Sequence, residues 1–176
     1  MSKYETDFEK LITQFTVLFT DIITTAHEKK YTTLNSDMIK IGNMMLAKKM
    51  AELGMSNVMN NFIHKTKDHW KYIAESDEKH FGTHLPDLIT DVPKSHVEEF
   101  CRLFIGVDKS GNAFIPKEDK EAFFENGSAL VKISLKYIYK NRNPTVGKDG
   151  KVNYGTAFFP DVSLTKMCKL FNVKLS

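Results

Sequence analysis

The 176-residue chain reads as one all-α domain, residues 1–176, built from five or six helices with an irregular segment near the C-terminus. Three observations predict this. Apolar residues recur every three to four positions over most of the chain. Capping residues, glycines and prolines punctuate those runs where helices should start and stop. A composition 41% apolar and 27% charged supports a packed core, and the length suits one domain better than two.

The first helix carries Phe8, Ile12, Phe15, Phe19 and Ile22 on one face, with Thr6 and Glu9 as its capping box and Lys29 and Lys30 at its C-terminal end. A second helix runs from about Ser36 to Leu53 and ends at Gly54. Ser56 caps a third, which carries Val58, Phe62, Ile63, Trp70 and Ile73. Residues 76–93 read as short turns broken at Gly82, Pro86 and Pro93. Ser95 and Glu98 form the box that opens the next helix, with Val97, Phe100, Cys101 and Phe104 on its inner face. "VDKSGNAFIP" (107–116) is a turn or small hairpin, and Pro116 opens the helix after it.

That helix, 117–140, is the best specified. At 100° per residue, Leu130, Val131, Ile133, Leu135, Tyr137 and Ile138 cover about 200° of its circumference. Lys132, Lys136 and Lys140 share the opposite face with Glu118, Glu121 and Glu125, acidic first and basic last, as the helix dipole favours. Gly127 falls on the apolar side, where it allows another helix to approach closely. "NRNPTVGKDGKVNYGTAFFPD" (141–161) has no helical period, and its "GKDGK" turn can join two short strands. A last helix spans about Ser163 to Phe171.

No apolar run reaches the roughly 18 residues a membrane span needs, and the N-terminal "MSKYETDFEK" lacks the pattern of a secretory signal. Cys101 and Cys168 lie far apart in apolar helical patterns, which fits buried thiols inside the cell rather than a disulfide framework. Of 25 basic residues only Arg102 and Arg142 are arginine, which disfavours bidentate reading of bases. Charge is uneven. Residues 127–176 hold nine Lys/Arg against Asp149 and Asp161, a net +7, leaving −4 for residues 1–126 of the overall +3.

Candidate chemistry is sparse. His80 and His84 have the i, i+4 spacing of paired metal ligands, with Glu75, Asp77 and Glu78 nearby, but no cysteine cluster or HExxH pattern accompanies them. "DKSGNAFIPKED" (108–119) imitates a calcium loop, yet Ala113 stands where glycine is required and Asp119 where a bidentate glutamate is. "GKDGK" lacks the spacing of a phosphate loop. The expectation is therefore no metal, no cofactor and no enzymatic activity. Six methionines between Met38 and Met59 suggest core filling ahead of an adaptable binding face.

"FIHKTKDHWKYIAESDEKHF" (62–81) and "SALVKISLKYIYKNRNP" (128–144) together resemble uncharacterised helical proteins of large nucleocytoplasmic DNA viruses. The resemblance spans roughly residues 56–144 and implies a viral source, without a catalytic motif. The expected function is that of a helical interaction or scaffold protein, a virion component or host-modulating factor with a protein partner. Tyr154, Phe158 and Phe159 would supply its apolar anchors. The alternative is non-specific nucleic-acid or polyanion binding by Lys136, Lys140, Arg142, Lys148 and Lys151.

Overall fold

A computed structural model describes residues 1–141, 145–146, 148, 150, 152–153 and 161–175. Eight α-helices follow in order: α1 (Lys3–Glu28), α2 (Ser36–Leu53), α3 (Met55–Thr66), α4 (Trp70–Ala74), α5 (Glu78–Leu88), α6 (Lys94–Ile105), α7 (Lys117–Lys140) and α8 (Asp161–Leu170). The all-α architecture is the one the periodicity predicts. Two short additions raise the helix number above six.

One addition comes from the third helix, which bends. Thr66 donates its hydroxyl back to the Phe62 carbonyl and accepts the Trp70 indole N–H at 2.8 Å. A 3₁₀ turn, Lys67–His69, then swings Trp70 fully into the core before α4 begins. Ser56 is no cap. It lies inside α3, and its hydroxyl is hydrogen-bonded to that of Tyr137.

The other addition is α5, which passes through both Gly82 and Pro86. Asp77 caps it by accepting the His80 N–H. Gly82 is needed for packing, since a Cβ there would sit 2.3 Å from Ile105 Cγ2 on α6. The expected breaker is thus the contact point of two helices.

Two starts also move. Ser2 and Glu5 form the reciprocal capping box of α1, one turn before Thr6 and Glu9. Helix α6 opens at Lys94 behind Pro93, without a side-chain cap, and Lys94 pairs with Glu98. The 107–116 segment is a tight hairpin held by a Val107–Ala113 bridge. The Asp108 carboxylate is turned inward on the loop, accepting the N–H groups of Ser110 and Asn112, which hold its pKa below the usual value.

Helix α7 is continuous over 24 residues and runs alongside α1 through the centre of the molecule. Leu130, Val131, Leu135 and Ile138 are buried, and Glu118, Glu121, Glu125, Lys132, Lys136 and Lys140 are exposed. Gly127 meets Ile73 of α4 across that close approach. Ile133 is half-buried in a satellite cluster with Phe8, Met59 and Leu130. The main core is aromatic around Phe123, whose ring lies 4.9 Å from Phe104, 5.2 Å from Phe15 and 5.4 Å from Phe124. Such tilted and edge-on pairs contribute about 0.5–1.5 kcal/mol each beyond area burial. After α7, Thr145–Val146 (β1) pairs antiparallel with Val152–Asn153 (β2), in the register Thr145↔Asn153 and Val146↔Val152. The "GKDGK" turn therefore does join two short strands.

Candidate functional site

Helix α2 differs from every other long helix in the chain. Asn35 caps its start by accepting the Asp37 and Met38 N–H groups, and Gly54, at φ +76°, ends it in a conformation that favours glycine. Only Ile39 and Gly42 are buried. Leu46 and Met50 look inward one turn apart, and Leu53, 38% exposed, lines the rim of the same space. Met44 (72% exposed), Ile41 (61%), Met45 (54%) and Met38 (38%) look outward. At 100° per residue these four span about 120° of the helix surface. Ion pairs Asp37–Lys40 and Lys48–Glu52 border them. The methionines thus do less core filling than their spacing suggests. Met59 is buried, but Met38, Met44 and Met45 are on the surface.

Both flanks of α2 are underfilled. On the outer side, a groove of about 610 Å³ runs between α1 and α2. Thr13, Thr16 and Thr20 of α1 line it, each donating its hydroxyl to a carbonyl one turn earlier. Asn43 ties the helices together by donating to Thr20 Oγ1 at 2.9 Å. On the inner side lies an apolar cavity of about 270 Å³. Phe8 and Leu130 of the satellite cluster wall it on one side, and Phe81, Leu85 and Phe124 of the main core on the other. The space opens to the surface along the edge formed by Lys49, Leu53 and Lys65. Two cross-links hold its edge: Lys49 pairs with Asp91, and Lys65 donates to the Thr90 hydroxyl at 2.6 Å.

The histidines gather, but not as the sequence spacing implies. His69 Nδ1 and His80 Nε2 lie 2.8 Å apart in a hydrogen bond, the His84 ring is 4.5 Å from that of His80, and Tyr72 stacks flat on His80 at 3.6 Å. Burial, then the neighbouring His84, lowers the pKa of both His69 and His80. His69 is the member the i, i+4 rule misses, because the bend at Thr66 brings α3 back onto α5. Among the described residues, no three His, Cys, Asp or Glu side chains converge as metal ligands.

Of the residues expected to bind a polyanion, Lys136 and Lys140 are exposed on α7, and Lys148 is exposed in the turn between β1 and β2. Lys140 also lies 5.4 Å from the Tyr4 ring centre. Arg142 and Lys151, like Tyr154, Phe158 and Phe159, lie outside the described residues. Arg102 serves the fold. It pairs with Glu99, donates to the Tyr31 carbonyl and covers the Phe114 ring. No helix among the described residues is long and apolar enough to cross a membrane. The chain matches no family model, no curated protein and no solved structure.

Proposed function

We propose that the chain acts by binding rather than catalysis, as a helical interaction protein that takes an apolar segment of a partner protein on the outer face of α2. The exposed Met38–Ile41–Met44–Met45 surface carries this reading. Large side chains are held in water on one face, bordered by charged pairs, the pattern of a partner-binding patch. Unbranched, polarizable methionines suit such a surface because they repack around a partner helix. On the viral resemblance of residues 62–81 and 128–144, the partner is a virion or host protein.

Peroxide footprinting tests the reading. In the isolated chain, Met44 and Met45 should oxidise readily while buried Met59 resists. In the native complex, Met44 and Met45 should become protected. Equal oxidation in both states would count against it.

A second reading, polyanion binding, rests on the exposed lysines 132, 136, 140 and 148. Each phosphate contacted should steepen the fall of log affinity with log salt by about 0.7–0.9.

A further inference from the structure

The inner cavity is independent of the α2 surface and points to a small ligand. It is walled by aliphatic and aromatic side chains, and its volume of about 270 Å³ is nearly twice that of the dry, roughly 150 Å³ cavities that take up benzene. It is too small for the paired chains of a membrane lipid. Its lining is mostly apolar, with Asn61, Thr66 and His69 among the polar members and Lys49, Lys65 and Asp91 at its edge. The Thr66 hydroxyl is already engaged, both donating and accepting.

Its edge supplies direction. Lys49 and Lys65 line the space with a single nearby carboxylate, Asp91, so the edge carries one net positive charge. Asp91 holds Lys49. Among the described residues, Lys65, on the surface, has the neutral Thr90 hydroxyl as its acceptor there, and a carboxylate is a much stronger one. Helix α2 covers the space with Leu46, Met50 and Leu53.

We propose that this cavity binds a single-chain aliphatic monocarboxylate, a free medium-chain fatty acid, with the chain between the two core clusters and the carboxylate on Lys65. The site thus takes an amphiphile rather than a purely apolar molecule. The bound chain buries its apolar surface against that lining.

Calorimetric titration of the intact chain with decanoate, decanol and decylamine tests this, alongside melting curves with each compound. The expected result is one decanoate per chain, a raised melting temperature, and decanol and decylamine at least about tenfold weaker. Lys65→Met should bring decanoate down to the decanol level and leave decanol unchanged. Leu46→Trp and Val58→Phe each fill the space from a half-buried position, and either one, if folded by circular dichroism, should abolish binding. No saturable binding, or binding that survives in the filled variants, overturns the proposal. So does equal affinity for decylamine, or association with phosphatidylcholine vesicles in place of free decanoate.

Discussion

Two glycines inside helices give opposite expectations for the same substitution, and together they test the packing of the core. Gly127 lies mid-way along α7, where glycine costs about 1 kcal/mol relative to alanine through backbone entropy. An added Cβ would meet Ile73 Cγ2 at 3.4 Å and Cδ1 at 3.9 Å, ordinary contact distances. Gly127→Ala should therefore stabilise the protein by about 1 kcal/mol and raise the melting temperature by roughly 2–4 °C. Gly82 in α5 has the same propensity term, but its Cβ would lie 2.3 Å from Ile105 Cγ2. The Ile105 Cδ1 and Cβ also lie 3.3 and 3.4 Å away, so more than one atom crowds this position. Forcing the helices apart costs about 1–3 kcal/mol, so Gly82→Ala should be neutral at best and destabilising by up to about 2 kcal/mol. Urea unfolding followed by circular dichroism reads both, provided the slope m is unchanged. A loss of more than about 0.5 kcal/mol in Gly127→Ala would refute the α4–α7 packing described here. A gain in Gly82→Ala would refute that of α5 on α6.

Other expectations follow from single sites. Ile138→Ala should cost about 2–5 kcal/mol in the same assay, because Ile138 is 1% exposed, whereas Lys136→Ala should stay within about 0.5 kcal/mol. Burial and His84 hold His69 and His80 below the ordinary pKa of 6.5, so the unfolded chain binds more protons as pH falls. Their contribution should be complete above about pH 6.5 and decline toward pH 5. Asp68, Asp77 and Asp87 oppose the effect and Lys71 adds to it. His80→Gln should flatten the dependence in urea titrations at several pH values. Burial, with Glu98 adding, pushes the Cys101 thiol up to about 11. It should react with a thiol reagent at pH 8 only after denaturant opens the fold.

Much of the fold is legible in the sequence because α7, α2 and the inner face of α6 are set by local periodicity. Residues 117–140 carry their acidic and basic ends, their buried side and their close-approach glycine in the order of the letters alone. What escapes is set by tertiary contact. Gly82 and Pro86 look like breaks because nothing local shows that Ile105 needs the space. His69 looks remote from His80 because the bend at Thr66 depends on burying Trp70. The α2 surface has a visible signal, four methionines in 18 residues, with apolar side chains all around the helix. Its meaning is hidden, because periodicity does not tell an apolar face that meets the core from one that meets solvent. The cavity leaves no local trace, since its walls come from α1, α2, α3, α4, α5 and α7.

The central claim is that the outer face of α2 serves association rather than folding, and one paired measurement addresses it. Ile41→Lys with Met44→Lys places two charges on that face. A photoreactive residue at position 45 then reports contact inside the producing cell, with the same probe at position 136 on α7 as the control. The account expects the double variant to keep its stability within about 0.5 kcal/mol. It expects a discrete adduct with another protein from position 45 only, and its loss in the double variant. An adduct of equal strength from position 136, one that survives both charges, or a large loss of stability would contradict the claim.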